Sequence, residues 1–324
     1  MDISVIVPIY NVENYIERCL RSLFEQTKTD GVEFILVNDC TPDNSMKEAY
    51  KVIEEYFTLD VKVLENSENI GVSQSRGIAT DCAKGEYVLY VDSDDWCEPS
   101  MLEMLYVKAV ENRADVVVSD YYSVINNIKI YQKVEVSKDN IECLKLLLDG
   151  GFNPQLWNKL IRRSLIVDND LYLNNKYIFG EDALIICKLL CFVEKISYLP
   201  NAIINYYNRD SSVSNNLTNE HLQSIVDVHN EMIEFVNNLI NKEQNRYLES
   251  SIRWKKMHVK FFIIKKSEGK EQKDFAKIYP EVTPYIWGEF NRYGFHNKLV
   301  LWFASKGCIP LANCILNLIK QIKY

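Results

Sequence analysis

The sequence has no run of 18 consecutive apolar residues, and its opening, Met1-Asp2 ahead of the apolar stretch Ile3 to Ile9, lacks the basic segment of a secretory leader. The expectation is a cytoplasmic chain without a spanning helix. Nine cysteines, an odd number with no Cys-x-x-Cys pair, speak against a disulfide framework and fit a reducing compartment. Cys187 and Cys191 lie one helical turn apart, but no His or second Cys pair supports a metal site there. The Gly-x-Gly-x-x-Gly turn that would meet a dinucleotide is missing after the first apolar run, where Pro8-Ile9-Tyr10-Asn11 stands instead. Basic charge is scarce as well. Residues 1–219 hold 21 Lys and Arg against 34 Asp and Glu, and a basic surplus, 16 against 11, occurs only in residues 220–324. Such an acidic body excludes nucleic acid as the main ligand, because phosphate backbones are bound by basic surfaces.

What is present is a globular composition: 47% apolar and 25% charged over 324 residues, with 20 Tyr and 13 Phe. At roughly 150 residues per domain the length suggests two domains. Short apolar runs alternate with segments of helical spacing: Ile3–Ile9 then 12–26, 33–37 then a helix from about Pro42, 61–64 then a helix near Gly71, 86–91 then a helix from Pro99. Four β-α alternations predict a doubly wound, mainly parallel α/β sheet. Beyond 115–119 the pattern changes to a Tyr-rich pair of strands (121–124 and 129–136), a helix over 138–148, an apolar helix over 183–193 and a strand over 195–199. From about Thr218 it is helical.

In such sheets ligands sit beyond the carboxyl ends of the strands, so the polar clusters there are the candidates. Asp92-Ser93-Asp94-Asp95 ends an apolar strand; carboxylates so crowded repel one another and suit a divalent cation, although Asp95 or Glu98 also suits a helix cap. Asp39 suits a nucleotide's base and ribose, or a cap. Arg76 in Asn69-Ile70-Gly71-Val72-Ser73-Gln74-Ser75-Arg76 is either a phosphate ligand or a surface residue. Glu181-Asp182 before an apolar helix serves the helix dipole or supplies a general base. Arg209 and Ser212, in Tyr206-Tyr207-Asn208-Arg209-Asp210-Ser211-Ser212, belong to a donor-rich loop able to fold over a diphosphate, or to a polar linker. Lys159 of Trp157-Asn158-Lys159 meets a phosphate or solvent.

In their order and spacing, Val5-Ile6-Val7-Pro8-Ile9-Tyr10-Asn11, Val37-Asn38-Asp39, Asn69-Ile70-Gly71 with Ser73 and Arg76, Gly85-Glu86-Tyr87, Asp92-Ser93-Asp94-Asp95, Trp157-Asn158-Lys159, Glu181-Asp182 and Arg209 with Ser212 resemble the family 2 inverting glycosyltransferases of GT-A fold. The resemblance runs from about Ile3 to Ser214. It implies a GT-A domain over 1–217 that binds a nucleotide-sugar donor, UDP-linked by expectation, through Pro8, Tyr10, Glu13, Asp39, Arg76, Asp92, Ser93, Lys159, Arg209 and Ser212. It further implies Mn²⁺ or Mg²⁺ at Asp94 and Asp92, a base at Asp182 beside Glu181, and transfer to a glycan or lipid-linked acceptor in cell-surface polysaccharide synthesis. One departure is visible: the family's Asp-Asp-Gly-Ser turn reads Asn38-Asp39-Cys40-Thr41. The alternatives are a sugar-nucleotide nucleotidyltransferase, which would want a Gly-rich, Arg-bearing loop after the first strand, and a non-catalytic glycan- or nucleotide-binding module.

The helical region 218–324 lies outside the resemblance. Residues 250–277 hold nine Lys and Arg against three acids, interleaved with Trp254, Phe261, Phe262, Ile263 and Ile264, and the segment Leu299 to Ile322 is apolar with few charges. Two readings stand side by side: peripheral contact with the inner, anionic face of a membrane, or a helical cap or homo-oligomer interface.

Overall fold

Strand β1 (Ile3–Ile9) is buried along all seven residues, as a strand must be when helices cover both faces of a parallel sheet. The computed structural model describes residues 1–172, 177–209, 217–290 and 292–322. They form two compact units, Met1–Leu147 with Gly151–Ser212, and Leu148–Gly150 with Val213–Tyr324.

The first unit carries α1 (Ile16–Phe24), β2 (Val32–Asn38), α2 (Ser45–Glu55), β3 (Asp60–Glu65), α3 (Val72–Cys82), β4 (Tyr87–Tyr90), β5 (Trp96–Cys97), α4 (Met101–Asn112), β6 (Val116–Ile125), β7 (Ile128–Gln132), α5 (Asn140–Asp149), β8 (Lys159–Arg162), α6 (Arg163–Val167), α7 (Glu181–Phe192) and β9 (Ile196–Tyr207). The sheet runs β3-β2-β1-β4-β8-β6-β9-β5, with β7 paired to β6. Strands β3, β2, β1 and β4 are parallel, the doubly wound half that the alternation predicts. Strand β8 enters antiparallel between β4 and β6. Helix α1 shows why the parallel half closes: Ile16, Cys19, Leu20, Leu23 and Phe24 recur at helical spacing and are all buried on the sheet.

The other half, in which β6 and β9 are parallel and the remaining pairs antiparallel, differs from expectation. Strand β6 is continuous through Asp120, and β9 extends eight residues past Leu199. Pro200 reads as a strand terminator, yet the β6–β9 register jumps from Ser119↔Leu199 to Asp120↔Ala202, so the sheet absorbs Pro200 in a bulge. Helix α2 starts at Ser45 rather than Pro42, because Asp43 folds the intervening residues into a turn by accepting from the Ser45 N–H (3.0 Å) and Thr41 Oγ1 (2.7 Å).

The second unit is helical: α8 (Asn219–Leu239), α9 (Lys242–Lys266), α10 (Gly269–Phe275), α11 (Ile286–Glu289), α12 (Phe295–Ser305) and α13 (Ile309–Ile322). Thr218 with His221, and Asn241 with Gln244, close capping boxes on α8 and α9. Trp254, Phe261, Phe290 and Tyr293 pack ring against ring, with Phe290 and Tyr293 4.5 Å apart, so the aromatics that alternate with lysines in the sequence belong to this unit's core. Among the described residues no helix is long and apolar enough to cross a membrane.

Candidate functional site at the carboxyl ends of the strands

The turns that leave β1 and β2 are laced together. The Asn11 N–H donates to Thr41 Oγ1 (2.8 Å), the Glu13 N–H to Asp43 Oδ2 (2.9 Å), and Glu13 Oε2 accepts from the Asn44 N–H (3.0 Å). Burial pushes the Asp43 carboxyl up, but the donors from Ser45, Thr41 and the Glu13 N–H together outweigh it and hold the carboxyl down to about 2. Pro8 is buried in β1 opposite Val37, and Tyr10 at the strand's end is 44% exposed. Asp39 is buried and accepts three hydrogen bonds of 2.9 Å, from Asn66 Nδ2 and the Ile70 N–H on Oδ1 and from the Gly71 N–H on Oδ2. Gly71 has φ +88°, which is what turns its N–H back to Asp39 as α3 begins.

The acidic cluster after β4 divides by partner. Asp95 is fully buried and accepts the Tyr207 N–H (2.7 Å) on Oδ1, which pins the end of β9. It caps no helix; Ser100 occupies the N-cap of α4. Asp94 Oδ2 lies 3.0 Å from Arg209 Nε, and its carbonyl accepts from Arg18 Nη2 (3.0 Å), whose guanidinium lies 3.8 Å over the Trp96 ring. Burial and the Asp92 charge push the Asp94 carboxyl above the usual range against the opposing pull of Arg209. Ser93 is buried between the two.

Arg76, 3% exposed, joins this cluster to the start of α7. Its Nη2 donates to Asp92 Oδ1 (2.6 Å) and its Nη1 to Asp182 Oδ1 (2.7 Å). Burial disfavours its charge, and Asp182, Asp92 and Glu181 outweigh that, so the guanidinium stays ionised. It is not a surface residue but a buried fork between two carboxylates. Gly180, at φ +88°, admits the turn that places Glu181 and Asp182 in the first turn of α7. Burial raises both carboxyls, Asp182 against the pull of Arg76, and Glu181 to about 7 with help from Asp182.

Lys159 does not face solvent. It is wholly buried, and Nζ donates to Asn153 O (2.8 Å), Gln155 O (2.6 Å) and Asn158 Oδ1 (2.7 Å); burial lowers its pKa to about 7. The loop it fastens includes Leu156, whose backbone N–H pulls the Asp182 carboxyl down. Trp157 is buried and stacks on Tyr206, 5.5 Å between rings. Ser212 lies outside the described residues.

The glycosyl transferase family 2 model matches residues 4–169, half of the chain. The chain belongs to glycosyltransferase family 2. This glycosyltransferase is 31% identical over 252 residues to glycosyltransferase GlyA of Streptococcus pneumoniae, a match that covers 73% of this chain and 35% of GlyA. It is 30% identical over 220 residues to the uncharacterized glycosyltransferase EpsJ of Bacillus subtilis, covering 65% of this chain and 62% of EpsJ. The chain thus spans about a third and under two thirds of these relatives. In fold it is similar to Staphylococcus aureus TarS 1-349 in complex with UDP-GlcNAc, with a TM-score of 0.73 at 21% identity over 99% of this chain and 92% of that one. It is also similar to the Pyrobaculum calidifontis mannosyltransferase PcManGT in complex with GDP-Man and Mn²⁺, with a TM-score of 0.56 at 13% identity over 98% and 86%. The architecture is GT-A, with C-terminal helices.

For a divalent cation the glycosyltransferase offers Asp92 and Asp94, hard carboxylate oxygens whose mutual repulsion is visible in the raised Asp94. Among the described residues no three Asp, Glu, His or Cys lie close enough to enclose an ion. The pair therefore fits as part of a coordination sphere that a donor's diphosphate oxygens would complete.

Sequence reasoning missed Asp43 and Arg18. Asp43 carried a signal, since Asp two positions before Ser is an Asx-turn pattern. Arg18 carried none, because its partners Asp94, Trp96 and Tyr207 come from distant strand ends.

Proposed function

We propose that this glycosyltransferase moves a sugar from a nucleoside-diphosphate donor, UDP-linked, to a hydroxyl of a glycan or lipid-linked acceptor in cell-surface polysaccharide synthesis, with inversion at the anomeric carbon. The observation that carries the reading is the Arg76 fork: one guanidinium spans the Asp92 side and the Asp182 side of a single site. An inverting displacement needs that adjacency, a leaving group at one side and a base at the other. The UDP and UDP-GlcNAc complexes of the TarS fold support the choice of nucleotide.

In this reading Tyr10, Asp39 and Glu13 frame the nucleotide pocket beyond β1 and β2. Asp182 accepts the proton of the acceptor hydroxyl; the oxygen then attacks the anomeric carbon, and the bond to the diphosphate breaks with its electron pair leaving on phosphate oxygen. Asp182 suits the task because burial raises its basicity while Arg76 fixes its orientation. Arg209 and Arg18 lie beside Asp94, where the departing negative charge develops. A Mn²⁺ or Mg²⁺ ion held by Asp94 and Asp92 supplies Lewis-acid neutralisation of the diphosphate when bound.

Asp182→Asn tests the assignment. It keeps shape and hydrogen bonding but takes no proton, so transfer falls by on the order of 10² to 10⁴ with donor affinity near wild type. Near-normal turnover in that variant moves the base to Glu181 or elsewhere.

A further inference from the structure

Helix α13 is apolar on two sides. Ile309, Ala312 and Leu316 are buried in the helical unit. Leu311, Cys314, Ile315 and Leu318 recur at the i, i+3, i+4, i+7 spacing of a second stripe, and Leu311 and Leu318 are 52% and 53% exposed, with Cys314 exposed between them. Trp287 and Phe295 form another exposed aromatic pair in the same unit, 43% and 63% exposed with rings 5.9 Å apart. A soluble helix normally sets polar residues opposite its buried face; this one sets leucines there.

The charge of the same segment says what covers them. From Phe290 to Tyr324 the sequence contains no Asp or Glu, while Arg292, Lys298, Lys306, Lys320 and Lys323 are basic. Arg292 is paired with Asp149 (3.2 Å), but the segment has no acid of its own to offset its remaining lysines, so it offers net positive charge to a surface that the apolar stripe touches within a Debye length of about 10 Å. A second copy of the chain would bring the same positive field against it, and like charges would oppose the contact. An anionic bilayer reverses that sign and also accepts leucine and tryptophan side chains at its interface.

We propose that the exposed stripe of α13, with its basic surroundings, is a docking face for anionic lipid. The face differs from the one suggested by the Lys-rich segment 250–277, whose Trp254, Phe261, Ile263 and Ile264 are buried and whose Lys256 is paired with Glu281 at 2.6 Å. Docking is independent of the chemistry assigned to Asp182, so each assignment can fail without the other.

The test is co-sedimentation of the full chain with vesicles of phosphatidylglycerol and phosphatidylcholine in a 3:7 ratio and with phosphatidylcholine alone. The expected result is at least tenfold preference for the anionic vesicles, lost in high salt, and at least tenfold weaker binding of the Leu311→Glu, Leu318→Glu double variant. Both positions are exposed, so that variant keeps its melting temperature and its donor turnover in solution, which separates lost docking from lost folding. The Lys265→Glu, Lys266→Glu variant, altering exposed lysines of α9, retains most of its binding. The proposal is overturned if the wild type ignores anionic vesicles, if only the α9 variant loses binding, or if the α13 variant changes the oligomeric state and leaves vesicle binding intact.

Discussion

A single guanidinium sets the electrostatics of the site. Arg76 neutralises Asp92 and Asp182 together, whereas Asp94 leans on Arg209 at 3.0 Å. Asp94 is therefore the carboxylate whose partner a cation can most readily exchange. Asp94→Ala should abolish divalent-dependent donor binding, measured by titration of UDP-sugar with and without Mn²⁺, and should leave the melting temperature nearly unchanged because the residue lies beyond its strand. Retention of Mn²⁺-dependent affinity would remove Asp94 from the metal site. The types and positions of these residues were legible in the sequence; their pairing was not. Arg76 reads as an ordinary helix residue until β4 and α7 bring Asp92 and Asp182 to it.

The elements show the same division. Strand β1 and helices α1 and α4 follow from apolar periodicity, because a parallel sheet covered on both faces leaves continuous apolar strands. Strand β9 hid behind Pro200 and the polar Asn201 and Asn205, which a bulge and the bond of Asn205 Nδ2 to Glu98 Oε1 (2.9 Å) accommodate. The loop 153–158 illustrates a harder case, since the sequence gives no sign that Lys159 is buried with its Nζ on the carbonyls of Asn153 and Gln155. Lys159→Met keeps the buried stem and leaves those carbonyls without a donor, at a cost of about 1–3 kcal/mol in stability. As a positioning residue for Asp182 it should lower kcat about tenfold or more with donor KM little changed, and the low-pH limb of the rate profile should move as the Lys159 charge that acts on the Asp182 carboxyl is removed. A phosphate ligand would instead show its loss in donor KM.

At the scale of the molecule, the helical unit is acid-sensitive. Burial and the Lys255 charge depress His229 to about 3, and burial depresses His258 to about 4, both from 6.5. The unfolded chain then binds protons that the folded unit refuses, so the stability these residues contribute is complete above pH 6.5 and declines as pH falls toward 4 and 3. Melting temperature against pH should show that slope, and His229→Gln should flatten it. The sheet has a kinetic corollary. Strands β1 and β2 meet across a short sequence interval, Ile3 with Val32, and β4 joins β1 at Ile3 with Tyr87, whereas β8 reaches β4 only at Arg162 and β5 waits for Asn205 of β9. Loop closure of that length is slow, and native contact order sets folding speed. The Asp39 clamp can form once the chain has reached Gly71, while the Asp94–Arg209 and Arg76–Asp182 contacts wait for the most distant pairings. During synthesis the turns that leave β1 and β2 therefore take shape well before the Arg76 fork can close on Asp182.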